Sequence, residues 1–96
     1  MLNSYIVCYD IADAKRLRKV LKTCRNHGDH LQYSVFECDL NATEKMRFEK
    51  ELEEIIDREK DQVLFIALGP SANRGERVVT SLGFPYVKVD APCYVF

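Results

Sequence analysis

The sequence predicts a two-layer α+β domain, and three observations predict it. Two amphipathic helical stripes, one basic and one acidic, alternate with short runs rich in β-branched and aromatic residues. These segments follow the order β-α-β(β)-α-β, with one more extended stretch at the end of the chain. A length of 96 residues suits one core, which at this size hides only roughly 60–65% of the unfolded surface. One domain over residues 1–96 is expected, with 84–96 as its terminal strand.

The elements follow in order. Tyr5-Ile6-Val7-Cys8-Tyr9 reads as a buried strand. Asp10 to Asp13 then turns the chain into a helix, with Asp13 as its N-cap. On that helix Leu17, Val20, Leu21 and Cys24 fall at i, i+3, i+4 and i+7 and form an apolar stripe. Lys15, Arg18, Lys19, Lys22 and Arg25 fall on the other side. Gly28 is expected to end the helix as a left-handed residue. His30 to Leu40 is apolar on both faces in part, which predicts extended chain bent near Ser34 into two short strands.

Asn41 with Glu44 resembles a capping box, and Phe48, Leu52, Ile55 and Ile56 give the second helix its apolar stripe. Gln62 to Leu68 is the strongest strand, closed by Gly69-Pro70. Ser71 to Gly75 reads as loop and Glu76 to Leu82 as a short helix. Pro85 and Pro92 confine the last stretch to an edge or bulged strand. Two helices on one face of a mostly antiparallel sheet make a ferredoxin-like βαββαβ sandwich. An unpaired tail ending Cys93-Tyr94-Val95-Phe96 would leave an open edge and exposed aromatics. A homodimer is therefore expected, with the extra C-terminal strand pairing across it.

Composition narrows the function classes. Apolar residues make up 47% and charged residues 30%, as in an ordinary soluble globular protein. No stretch approaches the ~20 apolar residues of a membrane span, and the N-terminus does not resemble a secretory signal. A cytoplasmic protein without membrane partners is expected. The four cysteines form no CxxC, and His27 and His30 lie far along the chain from Cys8 and Cys93. They read as reduced, small apolar fillers rather than as disulfides or zinc ligands. The net charge of −1 does not point to nucleic acid, but its distribution does. Lys15, Arg16, Arg18, Lys19, Lys22 and Arg25 have no acid among them, while Glu44, Glu49, Glu51, Glu53, Glu54, Asp57 and Glu59 weight a later segment the other way.

Asp10 ends a hydrophobic strand just before the basic helix. A carboxylate is a hard ligand suited to Mg2+, which takes one or two protein carboxylates and keeps its waters. A cation beside a phosphate-attracting helix suggests metal-assisted phosphodiester cleavage. The competing readings are a turn-forming Asp and a solvated helix face. A symmetric dimer could bring two copies of Asp10 to one metal. The basic residues would supply affinity for phosphates with little sequence preference. His30 reads either as a general base or as a partner-bonded residue entering a strand. Tyr9, Tyr33 and Phe36 read either as stacking surfaces for bases or as core. Ser34 lacks a neighbouring His/Asp arrangement, and the chain has neither a Walker motif nor GxGxxG.

The segments "YIVCYDIAD", "LQYSVFECDL" and "VLFIAL", in this order and spacing, resemble the CRISPR-associated protein two family, the small CRISPR adaptation protein. The resemblance covers roughly the whole chain. It implies a ferredoxin-like homodimer and a catalytic Mg2+ ligand at the aspartate of the YD motif, here Asp10. It implies a partner, the larger CRISPR integrase subunit, with which such proteins insert new spacer DNA. Some members cut single-stranded RNA or double-stranded DNA, and others act only as a bridge. Arg16 and Arg18 reproduce the family's i, i+2 arginine pair, though a shift of one would place Leu17 and Lys19 there. With Lys19 and Lys22 they form the expected nucleic-acid contacts, supported by Tyr9, His30 and Phe36. His30 stands near a position where members often carry Arg. The expected function is a Mg2+-dependent endonuclease of spacer acquisition acting on RNA, DNA or both. The alternative is a non-catalytic, DNA-binding scaffold. A small regulatory ferredoxin-like module is the more distant reading.

Overall fold

The computed structural model describes residues 1–73 and 80–83. Strand β1 spans Asn3–Asp10 and helix α1 Ala14–Arg25; strands β2 and β3 span Asp29–Gln32 and Val35–Leu40. Helix α2 spans Ala42–Glu53 and strand β4 Gln62–Pro70, followed by a 3-10 turn at Ser71–Asn73. The sheet order is β2-β3-β1-β4 and every neighbouring pair is antiparallel. This is the ferredoxin-like arrangement, in which each helix links strands that another strand separates.

Local chemistry sets the helix ends. Asp13 has extended backbone, and its carboxylate accepts from the Arg16 amide at 2.9 Å. Asn41 and Glu44 form the full capping box, with reciprocal bonds of 2.8 and 2.9 Å. The second apolar stripe outruns its helix. Ile55 and Ile56 lie beyond Glu53, where their amides both donate to the Leu52 carbonyl, yet both still pack on the core.

Gly28 departs from expectation. α1 is capped by Asn26 in right-handed geometry, and Gly28 does not adopt positive φ. It is needed for close approach instead. A Cβ at Gly28 would lie 2.5 Å from the Glu37 carbonyl oxygen and against the Cys38 sulfur.

The core lies between the helices and one sheet face. Val7, Tyr9, Phe36, Cys38 and Leu40 from the strands meet Val20, Cys24, Phe48 and Leu52 from the helices. Phe48 packs edge-on to Phe65 at 5.3 Å between centroids, and His27 stacks on Phe48 at 4.3 Å. Cys24 and Cys38 are free thiols buried in this core, as expected of small apolar fillers, and burial pushes the Cys38 thiol up to about 12. The strand period places Ile6, Cys8, Val35, Leu64 and Ile66 on the opposite face. Leu64 and Ile66 remain about half exposed there.

The expected terminal strand, 84–96, lies outside the described residues, as does most of the helix expected at Glu76 to Leu82. Thr80, Ser81 and Leu82 are described and are not helical. No helix among the described residues is long and apolar enough to cross a membrane.

Candidate metal and nucleic-acid site at the end of β1

β1 outlasts its pairing with β3. That ladder ends at Cys8 opposite Val35, because the two-residue turn Tyr33–Ser34 intervenes. The Tyr9 amide still donates to the Ser34 carbonyl at 3.1 Å. On the other edge Asp10 pairs with Gln62 of β4. Among the described strands Asp10 is thus held by one neighbour, and it is exposed. Its carboxylate makes no hydrogen bond or ion pair with any described residue.

A cavity of about 370 Å³ opens beside it, lined by Tyr9, Asp10, Ile11, Leu17, Leu21, Tyr33 and Ser34. Its walls come from the end of β1, the first turns of α1 and the β2–β3 turn. Tyr9 is buried, and desolvation holds its hydroxyl above the ordinary range. Tyr33 is 72% exposed and sits at φ 24°, in the left-handed region that side chains disfavour.

The basic helix divides into two sets. Lys15, Arg18, Lys19 and Lys22 are exposed and form no ion pair with a described residue. Arg18 and Lys22 make an i, i+4 row on the exposed side of the helix, and neither lines the cavity. Arg16, expected among the nucleic-acid contacts, is committed elsewhere. Its Nε and Nη2 donate to the Asp61 carboxylate at 2.7 and 3.1 Å.

That carboxylate is closed to solvent and also accepts from the Ala12 amide at 2.9 Å and the Asp57 amide at 2.8 Å. The Arg16 guanidinium, followed by the two backbone donors, holds it well below the usual carboxylate range. Asp61 therefore ties the Asp10–Asp13 loop to the segment before β4. Sequence reading missed this residue. Its partner Arg16 lies 45 positions away, so no local motif marks it.

The other expected residues are placed as follows. Phe36 is fully buried and supplies core, with Tyr9 stacked on it at 6.4 Å between centroids. It offers no surface to a base. His30 stacks on Phe36 at 4.5 Å, and its Nε2–H donates to the Tyr33 carbonyl at 2.6 Å. It braces the turn and does not line the cavity. Asp10 and Tyr9 are brought together at the cavity; Lys19 faces away from it on the outer side of α1. A second cluster also escaped sequence reading. Asp39 accepts from Ser4 at 2.5 Å and from Ser71 at 2.8 Å, tying β1, β3 and the end of β4 at the far end of the sheet.

Asp10 suits a hard cation as a lone carboxylate. Among the described residues no group of three or more His, Cys, Asp or Glu side chains could hold a metal ion. Mg2+ tolerates this, since it keeps most of its waters and takes remaining ligands from substrate phosphate.

Residues 3–74 match the family described as CRISPR associated protein Cas2. The chain is 46% identical over 81 residues to a "CRISPR-associated endoribonuclease Cas2 1" of Rhodospirillum rubrum, covering 84% of this chain and 78% of that one. It is 41% identical over 69 residues to a "CRISPR-associated endonuclease Cas2" of Halalkalibacterium halodurans, covering 67% and 72%. Among solved structures, Streptococcus pyogenes Cas2 superposes with a TM-score of 0.67 at 33% identity, covering 80% of this chain and 99% of that one. With the strand order, the YD strand end and these likenesses in agreement, the chain belongs to the CRISPR-associated protein Cas2 family.

Proposed function

We propose that this protein is a Mg2+-dependent endonuclease of CRISPR adaptation, with Asp10 as the metal ligand and the outer face of α1 as the phosphate-binding surface. One observation carries the reading: an exposed carboxylate without a described partner lines a cavity that is also walled by Leu17 and Leu21 of the helix that carries the exposed cations. The relatives' names, endoribonuclease and endonuclease, support nuclease chemistry. When bound, Mg2+ would polarise the scissile phosphoryl group and lower the pKa of attacking water. Asp10 would orient that ion. Arg18, Lys19 and Lys22 would hold the backbone by charge, without reading sequence. Arg16 would act through the loop it anchors rather than on the substrate.

The reading extends to assembly. A sheet face that neither described helix covers, carrying Leu64 and Ile66, both about half exposed, supports a homodimer through that face. Asp10 shares that face by strand alternation, so two copies would approach one another there and could complete a metal site that one chain leaves sparse. The CRISPR integrase is the proposed larger partner. A non-catalytic bridging role is the second reading, favoured by the single carboxylate that each chain contributes. The test is cleavage of labelled single-stranded RNA and duplex DNA by wild-type protein, with Mg2+ or with EDTA. Mg2+-dependent cutting of either substrate supports the enzyme and identifies what it cuts. Salt-sensitive binding without cutting under any condition supports the bridge and removes the catalytic claim.

A further inference from the structure

We propose that Asp61, acting through Arg16 and the Ala12 amide, is the positioning residue that aims the Asp10 carboxylate at its metal ion. This rests on the reading of Asp10 as the metal ligand and adds what holds that ligand in place. The Asp10 carboxylate makes no hydrogen bond or ion pair with any described residue. Ligating carboxylates are ordinarily oriented by an outer shell of hydrogen bonds to the side chain. Here the bracing reaches Asp10 through its main chain instead.

Two links close a small ring around Asp10. Asp10 pairs with Gln62 across the β1–β4 ladder. Two residues further on, the Ala12 amide donates at 2.9 Å to the carboxylate of Asp61, the residue next to Gln62. The ring thus runs through Asp10, Ile11, Ala12, Asp61 and Gln62. Asp61 is itself fixed. Its amide donates to the Asp57 carbonyl at 2.8 Å, and its carboxylate accepts from the Asp57 amide at 2.8 Å. Arg16 adds a two-pronged bond to the same carboxylate, at 2.7 and 3.1 Å, which contributes direction as well as attraction. The Arg16 amide is held in turn by the Asp13 cap at 2.9 Å. The chain from Asp10 to Arg16 is therefore pinned at its start, its middle and its end. The Asp61 side chain is closed to solvent, so water does not compete for these bonds. A well-packed apolar pair would often serve stability as well as a buried ion pair. Four directed bonds onto one carboxylate also fix where the loop lies. If two copies of Asp10 share one ion, slack in each loop counts twice.

The experiment titrates Mn2+, as a paramagnetic stand-in for Mg2+, into the 15N-labelled protein without nucleic acid. Binding is read as broadening of the Ile11 and Ala12 amide signals near ~15 °C, where such domains are most stable. Asp10→Asn should abolish the saturable broadening. Asp61→Asn and Arg16→Gln should each weaken Mn2+ binding about tenfold. Arg16→Gln is the decisive variant. Removing a cation would by charge alone tighten binding of a metal ion, whereas loss of positioning weakens it. Gly28→Ala, a destabilising change placed against β3, should leave the affinity as in wild type. Equal or tighter Mn2+ binding by Arg16→Gln overturns the proposal, as does a loss in Gly28→Ala equal to that in Arg16→Gln. If Asp61→Asn does not fold, Arg16→Gln and Gly28→Ala still decide. Wild-type binding by Asp10→Asn would overturn the metal-ligand reading and this proposal together. Loss in Asp10→Asn without loss in Arg16→Gln would overturn this proposal alone.

Discussion

Asp61 shows how much one buried carboxylate can organise. It gathers four donors from Arg16, Ala12 and Asp57, and so fixes the loop that carries the chain from Asp10 into α1. Its folded pKa is depressed, chiefly by the Arg16 hydrogen bonds. Its stabilising effect is therefore complete above the ordinary carboxylate value of about 4 and is lost as the pH falls through the lower folded value. Asp61→Asn should lower the melting temperature at pH 7 by roughly 5–10 °C and flatten the acid limb of the stability curve. An unchanged acid limb, measured by thermal melts from pH 7 down to pH 2, would remove Asp61 from this role. Gly28 makes a second prediction at the same scale. Gly28→Ala should cost about 2 kcal/mol in urea denaturation, because the added methyl group meets the Glu37 carbonyl and the Cys38 sulfur in a packed region. If the substitution is neutral, β3 yields more readily than the close approach implies.

Among the elements, α1 carries two jobs on different faces. Leu17, Val20, Leu21 and Cys24 face inward, Arg16 reaches the segment before β4, and Lys15, Arg18, Lys19 and Lys22 face solvent. The charge run was legible in the sequence, as were the N-caps at Asp13 and Asn41 and the bend at Ser34, because each is a local pattern. The division of labour within the run was not legible. It depends on Asp61, far away in sequence, and Arg16 resembles its neighbours until the fold places that carboxylate beside it. Gly28 fails for a related reason: a glycine after a helix reads as a left-handed cap, whereas close packing by a strand ten residues later becomes visible only in three dimensions.

The two sets of cations should separate experimentally. Single Gln substitutions at Arg18, Lys19 and Lys22 should each reduce the slope of log K against log salt by about 1, with little change in stability. Arg16→Gln should instead destabilise the fold and leave that slope alone. A loss of salt dependence at Arg16 equal to that at Lys22 would return Arg16 to the nucleic-acid surface.

At the scale of the molecule, the described residues form a four-stranded antiparallel sheet with two helices on one face and half-exposed Leu64 and Ile66 on the other. The α+β class and strand order follow from alternation of short strands and amphipathic helices, and the sequence pattern carried them well. Tyr9 and Phe36 were open between base stacking and core on periodicity alone. Packing decides for Phe36, which is fully buried, and leaves Tyr9 with one edge on the cavity. Asp10 was legible as a carboxylate at a strand end. Its setting beside an apolar cavity was not, since that cavity joins β1, α1 and the β2–β3 turn.

The central claim is that Asp10 holds the metal for phosphodiester cleavage. Its most direct test is single-turnover cleavage of RNA and duplex DNA in Mg2+ by rigorously repurified wild type and Asp10→Asn, with the melting temperature and oligomeric state of both recorded. The account predicts loss of cutting by at least about a hundredfold in the variant, in line with removal of a principal electrostatic contributor, while folding, assembly and binding persist. Cleavage by Asp10→Asn at the wild-type rate would contradict it.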